Sequence, residues 1–198
     1  ASSRAVVRNS PTSSSATATQ HSSERFTLVG PPSRWQTESM TDIHPNVARV
    51  VAAARERGLD ITTRRFPEGT KTAQDAANAI GVTVGQIVKS LVFGVDGEIV
   101  MAYVSGANQL DEKKLALAAG GTKCSRVDAD AVREATGYPI GGVPPFGHTT
   151  QLRIFIDPDL LQYDEVWAAA GTWNDVFPIA PSDLVRASGA VVTDLKRV

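Results

Sequence analysis

The chain carries a single cysteine, Cys124, and only three histidines. No apolar run approaches the ~18 residues that span a bilayer. One cysteine excludes an internal disulfide and the missing apolar run excludes a membrane-spanning helix, so the cytosol is the expected compartment and no membrane partner is expected. The usual catalytic signatures are absent too. There is no Gly-rich phosphate loop ending in Lys-Ser/Thr, no nucleophile elbow, no paired histidine on one helix and no multi-cysteine zinc pattern, so neither a metal nor a cofactor is expected. Excess positive charge is also lacking. Net charge is −1, and the part from Met40 onward holds 16 Lys/Arg against 19 Asp/Glu. Such a balance argues against coating a long nucleic acid, though not against gripping one terminal nucleotide.

With 198 residues, 42% of them hydrophobic, the chain can bury one substantial core. Residues 1–39 differ in composition, with Ser13-Ser14-Ser15, Ser22-Ser23 and Pro31-Pro32 and little apolar periodicity. They read as a disordered or loosely attached extension to a domain spanning 40–198. Met40-Thr41-Asp42-Ile43-His44-Pro45 resembles a natural start; the extension then fits an upstream translated segment, an added one or an organellar transit peptide.

The chain is organised around Val88 to Val104. Two apolar runs flank Asp96-Gly97, the dipeptide of a type I′ turn, and predict a β-hairpin with Lys89 at its entrance. Before it, the spacing predicts a helix from Pro45 to Arg57, a strand over 61–66 broken by Pro67-Glu68-Gly69, and a helix capped by Thr72 and Asp75. Thr83 is expected to cap a further short helix to Val88. After it come a helix from Asp111 to Ala119, a strand over 123–127 and a helix from Asp128 or Asp130 to Thr136. Strands follow over 152–156, 165–170 and 176–179, then a helix capped by Ser182 and a last strand at Val191-Val192.

Lys89 is the odd residue of the hairpin, because an ammonium at a buried strand pair must reach solvent or meet an anion in a cleft. Two loops could surround it. Tyr138 to His148 holds Gly141-Gly142 and Pro144-Pro145, letting a ligand approach main-chain N–H groups on a stiff backbone; Gly171 to Asp175 again joins glycine to small polar side chains. His148 is the only histidine in a promising loop. Cys124 reads as an inert thiol, since no histidine lies near it in sequence to act as base. One lysine and two Gly-rich loops suit a site that anchors an anion and binds polar atoms through backbone amides.

The order Gln86-Ile87-Val88-Lys89-Ser90-Leu91-Val92-Phe93, then Gly141-Gly142-Val143-Pro144-Pro145, then Ala170-Gly171-Thr172-Trp173-Asn174 resembles the YbaK family, relatives of the editing domain of bacterial prolyl-tRNA synthetases. The likeness covers about Ile43 to Leu195. It implies an α/β fold of the α+β type, a single compact domain with a mixed, curved sheet surrounded by helices. It implies hydrolysis in trans of the ester joining a wrong amino acid, of cysteine or alanine type, to tRNA by a positioned water, with the aminoacyl-tRNA 3′ end and an aminoacyl-tRNA synthetase as partners. Carried over, Lys89 would contact the phosphate near the terminal adenosine. Gly141 and Pro145 would be the ends of the loop that holds the aminoacyl group and activates water, with Gly142 and Val143 between them binding substrate. Gly171, Thr172 and Asn174 would form the second substrate loop. Trp173 replaces a small or basic residue, and His148, a further substrate-binding candidate, has no fixed counterpart. A binding module that recognises an aminoacyl or nucleotide end without cleaving it, and a metabolic enzyme on another mixed α/β fold, are the alternatives.

Overall fold

The computed structural model describes residues 43–66 and 72–198. The expectation for residues 1–39 and the break at Pro67-Glu68-Gly69 lie outside them. Helix α1, Pro45–Glu56, starts with proline at a position that needs no N–H donor and buries Val47, Val50, Ala53 and Ala54. Strand β1 is only Arg64–Arg65, shorter than the 61–66 expected, because its partner pairs with just these two residues. Helix α2, Ala73–Ile80, begins with the Thr72/Asp75 capping box and stops at Gly81, whose φ of +86° is the left-handed C-terminal cap. Val84–Gln86 is a single 3-10 turn and not a helix to Val88, since Val88 is drawn into strand pairing with Ser105.

The hairpin is the expected one: β2, Val88–Val95, pairs antiparallel with β3, Glu98–Ser105, through Asp96 (φ 48°) and Gly97 (φ 94°). Helix α3, Glu112–Ala118, is capped by Asp111; β4 is Cys124–Arg126; helix α4, Ala129–Thr136, is capped by Asp128. Strands β5, Arg153–Ile156, β6, Val166–Ala169, and β7, Asp175–Ile179, follow the expected runs within a residue or two. Between β5 and β6, Pro158–Gln162 forms a 3-10 helix capped by Asp157 that the strand-stop reading of Asp157-Pro158 did not foresee. Helix α5, Pro181–Ser188, starts on Pro181 after Ala180 with no side-chain cap, so Ser182 lies inside it and is not its cap. Strand β8 is Val191–Val192.

The α/β class holds, with the strands divided between two sheets. The larger runs β4-β2-β3-β5-β8, antiparallel through the hairpin and parallel from β3 to β5 to β8; the smaller, β1-β7-β6, is antiparallel. Strand β3 explains its own sequence. Met101 and Tyr103 face one core with Val50, Ala54, Val143 and Phe146, while Val100, Ala102 and Val104 face another with Leu115, Phe155 and Leu195. A strand covered on both sides is apolar at every position. A third cluster, Phe66, Ala76, Ala77, Ile87, Trp167 and Val176, joins α2 to the smaller sheet.

Strand β4 pairs only with Phe93, Gly94 and Val95, so among the described residues the first half of β2 has no partner strand on that edge. Lys89 sits on this open half.

Candidate active site

Two clefts lie along the open edge of β2 and share Lys89, Ser90, Leu91, Ile140, Gly141 and Val143 as a common wall. The first, about 590 Å³, is completed by Ile87, Ala169, Thr172, Trp173 and Val176. Its lining is largely apolar. The structure thus brings together Lys89, Gly141, Val143 and Thr172 from three separate segments of the sequence.

Lys89 is half-buried, and its Nζ donates to the carbonyl of Asn108 in the turn after β3. Burial pulls its ammonium below the ordinary lysine range, and the Asp157 carboxylate opposes that shift. Asp157 is itself buried and accepts from Asn108 Nδ2 at 3.2 Å, while the same amide reaches Asp159 at 2.8 Å. The lysine is therefore aimed by a part-buried polar network built on Asn108 and the buried Asp157. Beside it, Ser90 Oγ is buried with no hydrogen-bond partner among the described residues.

The two loops meet directly. Gly142 lies against Thr172, where a Cβ would stand 2.9 Å from the threonine Cα, so no side chain fits at Gly142. Trp173 packs over Gly141, and its indole N–H donates to the carbonyl of Ile140, tying the second loop to the first. The N–H of Gly142 closes a turn onto Pro139 at 3.0 Å, whereas those of Gly141 and Val143 donate to no other described residue. Thr172 Oγ1 donates to Asp175 and accepts from the N–H groups of Asn174 (3.2 Å) and Asp175 (3.1 Å). Asn174 is held further by its carbonyl, which accepts from Phe66 N–H at 2.9 Å. Gly171 is buried against α1, with its carbonyl accepting from Asn46 Nδ2 at 3.1 Å. Gly142, Gly171 and Asn174 thus shape the loops, and Thr172 presents to the cleft.

Pro145 and His148 lie elsewhere, on a separate cleft with Arg57 and Arg153. The buried Tyr103 hydroxyl donates to the Pro145 carbonyl, and His148 Nε2 pairs with the Pro144 carbonyl at 2.8 Å. Burial lowers the His148 pKa below its usual value, which favours the neutral ring at physiological pH. Cys124 lines neither of the two Lys89 clefts. Burial, with Glu112 nearby, pushes its thiol up, away from the thiolate a nucleophile needs. Sequence reasoning missed Asn108, Asp157, Asp175 and Ser90, which are ordinary turn, cap and strand residues until the fold surrounds Lys89 and Thr172 with them.

Among the described residues, the first cleft offers one cation, Lys89, beside main-chain N–H groups and a largely apolar wall. Residues 67–187 match the family model of the aminoacyl-tRNA editing domain. The chain belongs to the aminoacyl-tRNA editing domain family. Among its relatives, YwhH of Bacillus subtilis (strain 168), an uncharacterized protein, is 31% identical over 67% of this chain and 83% of its own length. The multifunctional Ser/Thr-tRNA deacylase ProXp-y of Escherichia coli (strain K12) is 27% identical over 75% of this chain and 92% of its own. A crystal structure described as a candidate trans-editing enzyme for prolyl tRNA synthetase superposes with a TM-score of 0.76 at 44% identity, covering 79% of this chain and all of that one.

Proposed function

We propose that this editing domain acts in trans as a deacylase that removes a wrong, small amino acid from tRNA, with a water held in the Lys89 cleft as the attacking group. The meeting of Lys89, Gly141, Val143 and Thr172 on one apolar cleft carries this reading. The Lys89 ammonium takes the phosphate of the terminal nucleotide, where a charge-assisted bond replaces its present one to Asn108. The aminoacyl group then lies over Gly141 and Val143. Water adds to the ester carbonyl, whose developing oxyanion is met by the two main-chain N–H groups. The acyl–oxygen bond breaks, the ribose oxygen takes the proton, and the free amino acid leaves. An aminoacyl ester is already activated, so ordering water against the carbonyl suffices without a covalent intermediate.

The cleft's lining supports a small side chain with little polarity. Ile87, Leu91, Ala169 and Val176 offer no side-chain hydrogen bond to a hydroxyl, the Thr72 and Thr172 hydroxyls of the same lining are held by the helix cap and by Asp175, and the Ser90 hydroxyl is buried, which favours alanine and cysteine over serine and threonine. Apolar pockets reject an added hydroxyl weakly, so the preference should be no more than about a hundredfold. The test is a panel of tRNAs mischarged with alanine, cysteine, serine or threonine. Catalytic release with alanine or cysteine fastest is expected; protection of every ester against spontaneous hydrolysis would make the chain a binding module instead.

A further inference from the structure

The second cleft shares the Lys89 wall but has a different chemistry. Of about 600 Å³, it is lined beyond that wall by Phe93, Gln109, Glu112, Arg126 and Arg197. Lys89, Arg126 and Arg197 face a single carboxylate, Glu112, in a chain whose overall charge is −1. The two arginines also differ from the cations around them. Lys114 pairs with Asp194 at 2.7 Å and Lys196 with Asp159 at 3.0 Å, whereas neither the Arg126 nor the Arg197 guanidinium makes an ion pair or hydrogen bond among the described residues.

The backbone that carries each is nevertheless held in place. Arg126 stands opposite Phe93 in the β2–β4 ladder. Arg197 follows a tail strapped to the turn before α3: Arg197 N–H donates to Gln109 at 2.8 Å, Lys196 bridges Leu110, and Leu195, fully buried, accepts from Asp111 N–H at 2.8 Å. This tail lies beyond residues 67–187 that match the family. Ile140, 52% exposed, and Leu91 supply an apolar surface between the two arginines and the first cleft.

We infer that Arg126 and Arg197 form a phosphate-binding subsite for the single-stranded nucleotides that precede the aminoacylated one, so that the substrate runs from the arginines past Lys89 into the apolar cleft. The assignment rests on the deacylase reading for its direction. Exposed, uncompensated guanidinia on a groove bind phosphodiesters through counterion release, and each contact to a single strand adds about 0.7 to the salt slope of log K. Bases meanwhile lie on the apolar wall.

The experiment compares Arg126→Ala and Arg197→Ala with the native protein on two substrates: the mischarged tRNA that the native protein cleaves, and the same amino acid on adenosine 5′-monophosphate, which is too short to reach the arginines. Each substitution should raise KM for tRNA by about tenfold, a loss of roughly 1.4 kcal/mol, while kcat/KM on the short substrate stays within about twofold. Arg126→Lys and Arg197→Lys should recover most of the loss. In parallel, anisotropy of a fluorescein-labelled ACCA oligonucleotide, uncharged, should show weaker binding and a shallower salt dependence for each alanine variant. Equal losses on both substrates, or unchanged KM for tRNA, would overturn the subsite. If the native protein cleaves neither substrate, the deacylase reading fails by itself, and anisotropy decides the subsite: unaltered oligonucleotide affinity in both alanine variants overturns it.

Discussion

Asp175 shows how much one carboxylate can organise. It is buried, accepts from Arg65 Nε at 3.0 Å and Arg65 Nη2 at 3.3 Å, and also accepts the Thr172 hydroxyl. The Gly171–Asn174 loop is thereby fixed to β1 at its base. Asp175→Ala should remove the two bonds to Arg65 and free the Thr172 hydroxyl, costing about 2 kcal/mol of stability; urea unfolding measures this. Catalysis should fall as well, because Thr172 lines the cleft, and Asp175→Asn should retain more of both. An unchanged unfolding midpoint for Asp175→Ala would contradict the anchoring role. Lys89 was legible in the sequence as a cation out of place on an apolar strand. The nearby Asp157 was not, because an Asp-Pro pair after a strand signals a stop equally well when the aspartate faces water.

At the scale of elements, local signals sufficed wherever the backbone conformation is decided by a few neighbouring residues. The Thr72/Asp75 box, the Gly81 cap and the Asp96-Gly97 turn all stand as read. Where pairing with a distant strand decides, the reading failed: β1 is cut to Arg64–Arg65 by the reach of β7, and the helix after Thr83 yields to the β2–β3 ladder. The hairpin tip adds a tertiary contact of its own. Asp96 accepts from the N–H groups of Thr122 at 2.7 Å and Lys123 at 2.9 Å, tying the turn to the approach of β4. Those two main-chain bonds hold its carboxyl below the ordinary aspartate range. A depressed folded pKa gives stability that is present above the unfolded value of about 3.9 and is lost as pH falls through the folded value. Native protein should therefore exceed Asp96→Asn in Tm at neutral pH and converge with it in acid. A difference independent of pH would show that the charge on Asp96 is not what the turn uses.

For the whole molecule, the decisive feature is that β4 stops short. The open half of β2 lets the Gly-rich loop, the Thr172 loop and the C-terminal tail gather beside Lys89, and no local pattern announces that gathering. Fold class and the order of motifs were readable in the chain. The division into two sheets, the pair of clefts and the separation of Pro145 and His148 from Lys89 follow from long-range packing. Lys89 is the proposed anchor that brings the ester into the apolar cleft. The measurement closest to that claim is the decay of a mischarged tRNA under native protein and under Lys89→Ala in parallel, with circular dichroism and Tm verifying that both are folded. The account predicts that Lys89→Ala keeps its fold and loses most deacylation, at least about a hundredfold, or roughly 2.7 kcal/mol in barrier. Full activity of Lys89→Ala on every tRNA that the native protein cleaves would contradict it.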